Sequence, residues 1–186
     1  EKAKFCSKCG NLMVQTQTPE KKNNEKILGN RYRIEKLIKS GGMGSIYRGK
    51  HIKLDETFAI KEMLFTSTDE KQNQYSMKRF YEEAKLLSRL RHPNLPVVTD
   101  YFDEDNKYYI VMDFVEGEDL GEILKKYGSP GLPEKHVIFW TEETLKVLDY
   151  LHSQNPPVIY RDIKPSNIMI RKHDKKVMLV DFGIAR

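Results

Sequence analysis

The sequence has few cysteines, no long apolar run and no strong excess of one charge. Only 2 of its 186 residues are cysteine, which excludes a disulfide framework and favours a reducing compartment. Its apolar runs, such as 137–140 and 177–180, are far shorter than the roughly 20 residues of a membrane-spanning helix. Lysine and arginine number 32 against 27 acidic residues, a net charge of +5, and this small, dispersed excess gives a polyanionic partner little support.

The sequence does contain enough apolar residues, 39% of the total, to form one hydrophobic core. Residues 1–14 hold both cysteines, whereas residues 15–26 contain no large apolar side chain and are predicted to form a flexible linker. The globular part therefore begins near Ile27. Its patterns predict strands at 31–39, 45–51, 57–64, 97–102, 107–114, 167–170 and 176–180, and helices at 77–90, 120–127 and 134–153. Apolar spacing in the last helix predicts that it is largely buried.

Three features of the globular part suggest a site. Gly41 and Gly44 lie on a strand-turn-strand, where glycine lets backbone N–H groups approach phosphate oxygens. Lys61 interrupts an otherwise apolar strand. Glu83 falls beside Ala84 on the apolar side of a helix, where a charge is costly unless paired, and Lys61 is a candidate partner. Two of these features also have an ordinary interpretation. The glycines could form a plain turn, and Lys61 could face solvent on an edge strand.

The motifs become specific when they are taken together. Residues 41–44 read Gly-Gly-Met-Gly, 58–61 Phe-Ala-Ile-Lys, 158–167 Val-Ile-Tyr-Arg-Asp-Ile-Lys-Pro-Ser-Asn, and 181–183 Asp-Phe-Gly. In this order and context they resemble eukaryotic-type (Hanks-type) serine/threonine protein kinases of the bacterial branch. The resemblance implies an α+β, protein-kinase-like fold, with a five-stranded antiparallel N-lobe and one helix at 27–115. The first, mainly helical part of the C-lobe would occupy 116–186, truncated after Asp-Phe-Gly.

By the same resemblance, the chemistry is transfer of the ATP γ-phosphoryl group to a protein serine or threonine. Asp162 would accept the hydroxyl proton, and Lys164 would neutralise the transferring group. Asn167 and Asp181 would each hold Mg²⁺. The implied nucleotide-binding residues are Gly41, Gly44 and Lys61 at the phosphates, with Glu83 orienting Lys61, Asp119 at the ribose, and Ile38, Ile46, Ala59, Met112, Asp113, Val115 and Met169 around the adenine.

The sequence departs from the family pattern at three places. Lys39 stands where the family has the first glycine of its loop, and Tyr160 stands where it has a histidine before Arg-Asp. We expect Tyr160 to pack its ring in that position. The activation segment and substrate-binding part have no counterpart here, so we expect Mg-ATP binding with little transfer to proteins. The apolar side of the last helix near Leu145 would then be uncovered and promote self-association.

The cysteine pair, Cys6-x-x-Cys9-Gly, is typical of one knuckle of a zinc ribbon, which needs four ligands. We expect the other knuckle upstream of Glu1; a redox-inert pair or a dimer-bridging metal are the alternatives.

The function predicted is that of a cytoplasmic serine/threonine kinase, with any membrane anchor of a longer protein outside these residues. One alternative is a non-catalytic nucleotide-binding or scaffold module. Another is a zinc-dependent nucleic-acid binder, for which no basic aromatic patch is evident.

Overall fold

The structure is a computed structural model, and it describes residues 26–41, 44–64 and 70–181. The strands are β1 (Ile27–Leu28), β2 (Tyr32–Gly41), β3 (Gly44–His51), β4 (Thr57–Leu64), β5 (Val98–Glu104), β6 (Lys107–Asp113), β7 (Gly117–Asp119), β8 (Ile168–Arg171) and β9 (Val177–Leu179). The helices are α1 (Glu70–Leu87), α2 (Leu120–Tyr127) and α3 (Glu134–His152). Among these helices, all within the described ranges, none has the length and apolarity needed to cross a membrane.

The N-lobe is an antiparallel sheet in the order β1-β2-β3-β4-β6-β5. The five predicted strands are all present, and the two-residue β1 adds a sixth at the edge. Alternation along the strands gives the sheet two faces. The outer face carries a small core that includes Tyr32, Ile60 and Tyr109. The inner face carries Ile110 and Met112, which belong to the main core.

Helix α1 covers the inner face of this sheet. Phe80, Ala84 and Leu87 on α1 are buried in the main core, as their spacing predicts. The helix begins at Glu70, seven residues before the predicted start. Its first two turns are mostly polar, so hydrophobic periodicity carries no signal there.

The main core continues from the N-lobe into the second part of the chain. Val147 and Leu151 of α3 and Val177 and Leu179 of β9 share it with the inner face of the sheet. A three-stranded antiparallel sheet, β7-β8-β9, places the end of β9 beside the N-lobe. This small sheet and the six-stranded sheet therefore enclose the region where the predicted motifs converge.

Helix α3 is less buried than its sequence predicts. Only Thr144, Val147 and Leu151 are buried, whereas Val137 and Leu145 are 42% and 57% exposed. The prediction of a largely buried helix was wrong, because within the described ranges only the stripe that faces the main core is covered. Trp140 and Leu148, at the border of that stripe, are partly buried.

Candidate functional site

A partly buried ion pair joins the two lobes. Lys61 lies in the middle of β4, on the inner face, and its ammonium contacts Asp181 Oδ1. The two side chains are only 14% and 20% exposed. Asp181 follows β9 and has a left-handed backbone, with φ of 64°, a conformation that costs free energy in a non-glycine residue. The fold thus brings together two predicted site residues that are 120 positions apart.

The loop before β8 holds the second charged group. Asp162 N–H donates to the Tyr160 carbonyl at 3.0 Å, across Arg161, whose φ is 65°. A bond between residues two apart with a positive central φ forms a tight, strained γ-turn. This turn leaves the Asp162 side chain 44% exposed, so its carboxylate is accessible from the space between the lobes.

Two neighbours hold that carboxylate. Lys164 Nζ donates to Asp162 Oδ2 at 2.7 Å, and Asn167 Nδ2 donates to the same oxygen at 2.9 Å and to the Asp162 carbonyl at 3.0 Å. The hydrogen bond from Lys164 is the main cause that lowers the pKa of Asp162; partial burial opposes it and Asn167 adds to it. Asp162 is therefore ionised at neutral pH.

Tyr160 holds the segment that carries Asp181. Its hydroxyl donates to the Val180 carbonyl, and Val180 N–H donates to the Asn167 carbonyl at 2.9 Å. Tyr160 is 3% exposed, and this burial, reinforced by Asp181 and Asp162, raises the pKa of its phenol well above the ordinary value. The sequence predicts only ring packing for Tyr160. The hydroxyl in place of an imidazole was the available signal for this bond.

The apolar residues predicted around the adenine lie near this site. Ala59 is paired with Met112, and Ile46 with Lys61, on neighbouring strands of the sheet, so all four side chains share the inner face. Met169 is paired with Asp119 across β7 and β8.

Burial separates these predicted residues into three groups. Met112 and Val115 are buried, and Ile46, Ala59 and Met169 are half-buried, whereas Ile38 and Asp113 are exposed.

Asp119 and Asp113 have structural partners that the predictions did not include. Asp119 is the N-cap of α2, where its Oδ1 accepts a bond from Glu122 N–H at 2.9 Å. Asp113 Oδ2 accepts from Val97 N–H at 3.0 Å. Aspartate is a favoured N-cap residue, which explains the position of Asp119 at the start of α2.

The glycine-rich hairpin requires glycine at one end for a backbone reason. Gly44 has φ of 134°, and an added Cβ would lie 1.9 Å from the Glu62 carbonyl oxygen on β4. At Gly41, its partner in the hairpin, an added Cβ would meet no atom of the described residues within 4 Å. Gly44 therefore permits close approach of two strands, and the phosphate role assigned to both glycines stays a prediction.

Glu83 and Arg161 line a cavity of about 540 Å³ between α1 and residues 156–161. Lys61 forms its described ion pair with Asp181. That Glu83 orients Lys61 therefore stays a prediction.

The cysteine prediction lies elsewhere in the chain. Cys6 and Cys9 fall outside the described residues, and within those residues no three His, Cys, Asp or Glu side chains form a metal-binding cluster.

Comparison with known proteins agrees with this geometry. The model of the protein kinase domain family matches residues 32–186, and the chain belongs to that family. It is 34% identical to serine/threonine-protein kinase B of Synechocystis over 185 residues, which is 97% of this chain and 29% of that protein. It is 36% identical to serine/threonine-protein kinase PrkC of Bacillus subtilis over 160 residues, 86% of this chain and 24% of PrkC.

Solved structures show the same fold. The kinase domain of Mycobacterium tuberculosis PknI matches with a TM-score of 0.71 and 26% identity, over 87% of this chain and 63% of that chain. Rad53 in complex with AMP-PNP matches with a TM-score of 0.70 and 25% identity, over 83% of this chain and 39% of that chain. This chain spans less than a third of the length of the curated relatives described above.

Proposed function

We propose that the protein is a serine/threonine protein kinase of the bacterial branch, which transfers the γ-phosphoryl group of ATP to a serine or threonine hydroxyl of a protein. The observation that carries this proposal is the arrangement of Asp162, held by Lys164 and Asn167, opposite the Lys61–Asp181 pair. The names of the relatives, which are serine/threonine-protein kinases, support the choice of acceptor.

Each residue has a task that its surroundings suit. Phosphoryl transfer needs positioning and neutralisation of charge more than covalent chemistry. Asp162 is ionised and exposed to the cleft, so it can orient an incoming hydroxyl and accept its proton. Lys164 is next to Asp162, where its ammonium can also face the transferring group. Lys61 would exchange its contact with Asp181 for the nucleotide phosphates.

The oxygens present fit Mg²⁺. Asn167 is fully buried, and its Oδ1 accepts no hydrogen bond among the described residues, an arrangement that is costly unless a ligand completes it. Carboxylate and amide oxygens are the donors that Mg²⁺ prefers. Asn167 and Asp181 would therefore hold the metal, which when bound supplies positive charge to the phosphates. AMP-PNP in the complex with Rad53 supports a nucleoside triphosphate as the ligand.

The test is nucleotide-dependent thermal stabilisation of the chain. AMP-PNP with Mg²⁺ is expected to raise the melting temperature by several degrees, and AMP-PNP with EDTA much less. Asp181→Ala should abolish the difference, whereas Asp174→Ala, a surface carboxylate paired with Arg171, should keep it. A folded wild-type chain with no response to any nucleotide would contradict the proposal.

The main alternative is a non-catalytic nucleotide-binding or scaffold module. It predicts the same thermal shift without phosphoryl transfer, so only a radiolabel transfer assay with a protein substrate on a longer chain separates the two. The joint presence of Lys61, Asp162, Asn167 and Asp181 in one site disfavours this alternative.

The proposed layout assigns residues 1–14 to part of a zinc ribbon, 15–26 to a linker, 27–115 to the N-lobe and 116–186 to part of the C-lobe. The activation segment and protein-substrate site are proposed to lie outside this sequence, which is consistent with coverage of 63% of the PknI kinase-domain chain. We therefore expect weak transfer to proteins from these 186 residues. Robust transfer would contradict that layout.

Self-association and zinc are further parts of the proposal. The exposed side of α3, with Leu145 57% exposed, is expected to give concentration-dependent oligomers in sedimentation, reduced by Leu145→Glu.

The proposal of a zinc site is supported by the Cys-x-x-Cys spacing. A longer chain that includes upstream residues should contain one zinc per molecule by mass spectrometry, and lose it in Cys6→Ser and Cys9→Ser variants.

A further inference from the structure

The strand that leads into the glycine-rich hairpin is irregular at Lys39. On β2, Leu37 is paired with Tyr47 of β3, whereas Lys39, two residues further on, is paired with Ile46, the next residue of β3. Ile38 is therefore an extra residue in the ladder. Such an insertion is a β-bulge, which changes the direction of the side chains that follow it.

The bulge places Lys39 on the inner face of the sheet. Without it, simple alternation would put Lys39 on the same face as Leu37 and Tyr47, and Tyr47 packs against the outer-face core. With it, Lys39 lies opposite Ile46, which in turn lies opposite Lys61. Since residues paired directly across antiparallel strands share a face, Lys39 is on the face from which Lys61 contacts Asp181.

The position also suits contact across the cleft. Two strand spacings separate Lys39 from Lys61, on the order of 10 Å, and the Lys39 side chain is exposed. Within the described residues Lys39 makes no salt bridge of its own. The inner face of the sheet therefore carries two ammonium groups near the hairpin, those of Lys39 and Lys61.

We propose that Lys39 binds the terminal phosphates of the nucleoside triphosphate, so that the hairpin adds a charged side chain at a position where related kinases have glycine. This rests on the proposed ATP-binding function. A lysine ammonium is a compact point charge on a flexible stem, which suits it to follow phosphates from an exposed strand.

The test is direct binding to the 186-residue chain, measured by calorimetry with Mg²⁺ and AMP-PNP, ADP or adenosine. Lys39→Gln is expected to weaken AMP-PNP binding about fivefold, in the range of a solvent-exposed ion pair. ADP should be affected less, and adenosine not at all. The dependence of affinity on salt should also decrease. Lys39→Arg should retain most of the affinity.

A matched control is Lys36→Gln on the same strand, before the bulge, where Lys36 is paired with Arg48. It should leave all three affinities unchanged. A second variant, Lys39→Gly, restores the family residue without the charge and should behave like Lys39→Gln.

The possible contrary outcomes are distinct. Unchanged AMP-PNP affinity in Lys39→Gln, or wild-type affinity in Lys39→Gly, would overturn the role of Lys39 alone. Equal weakening of adenosine binding would show a structural effect on the hairpin and would overturn it too. A wild-type chain that binds none of the ligands would overturn the proposed function and this inference together.

Discussion

The side-chain amide nitrogen of Asn167 donates to both the carbonyl and the carboxylate of Asp162, at 3.0 and 2.9 Å. Asn167 is fully buried, whereas the Asp162 side chain is 44% exposed. A rigid interior residue thus fixes an accessible one. The orientation of the Asp162 side chain is therefore set by the core, although its carboxylate faces solvent.

Replacement of Asn167 tests this relationship. Asn167→Ala removes both bonds from a buried site and is expected to lower the free energy of unfolding by about 2 kcal/mol, measured by urea denaturation. It should also raise the pKa of Asp162, because one of the groups that lowers that pKa is Asn167. Asn167→Asp, which places a second carboxylate beside the first, should raise it further. An unchanged Asp162 pKa in both variants would contradict the assigned contacts.

The pH dependence of Asp162 follows from Lys164. The pKa of Asp162 lies below its ordinary value of 3.8, mainly through the hydrogen bond from Lys164. A carboxyl with a lowered pKa stabilises the folded state above the ordinary pKa, and the contribution is lost as pH falls through the lower, folded-state value. Lys164→Gln should move the NMR titration of Asp162 upward. Lys172→Gln, which removes an exposed lysine paired with Glu116, should leave the titration in place.

The two ends of the glycine-rich hairpin should respond differently to alanine. Gly44→Ala would place a Cβ 1.9 Å from the Glu62 carbonyl oxygen and is expected to cost at least about 2 kcal/mol of stability. Gly41→Ala meets no atom within 4 Å in the part of the chain that the structure describes, and it should leave the melting temperature nearly unchanged. If backbone groups at Gly41 approach phosphate as predicted, Gly41→Ala should still weaken AMP-PNP binding. Equal melting temperatures for the two variants would refute the close strand approach at Gly44.

Removal of one hydroxyl tests the bond between Tyr160 and Val180. Tyr160→Phe keeps the buried ring but leaves the Val180 carbonyl without this donor, and should cost about 1 kcal/mol. Tyr81→Phe, which removes an exposed bond to Asp103, should cost less. Because Val180 directly precedes Asp181, Tyr160→Phe should also reduce the thermal shift with Mg²⁺ and AMP-PNP. A variant with wild-type stability and an unchanged shift would contradict this role.

The sequence was sufficient to predict the strands of the N-lobe, and it identified Lys61, Asp162 and Asp181 as members of one site. Strand alternation carries the first prediction, and the resemblance of the motifs to the protein kinase family carries the second. The Lys61–Asp181 contact could not be predicted, because it joins residues 120 positions apart and depends on how β9 ends. The bulge at Ile38 was missed as well, since the only residues of β2 that follow it, 39–41, include no large apolar side chain that could reveal the change of face.

The prediction that α3 is largely buried was wrong for a different reason. The sequence defines an apolar surface that includes Val137 and Leu145, but it does not specify which part of that surface a neighbour covers. In the described ranges the neighbour is β9 with the rest of the main core, and it covers the stripe of Thr144, Val147 and Leu151.

The loop after α1 is fastened to the second part of the chain as well as to the sheet it leads into. Asn94 donates its side-chain amide to the Val177 carbonyl at 2.7 Å and accepts Leu179 N–H on its own carbonyl at 2.9 Å. Arg91 N–H donates to the Tyr150 hydroxyl at 2.8 Å. The C-terminal end of α1 is thus held in place by these hydrogen bonds. Any rotation of α1 would be centred on that end, so Glu83, which is less than three helical turns away, would move only a short distance.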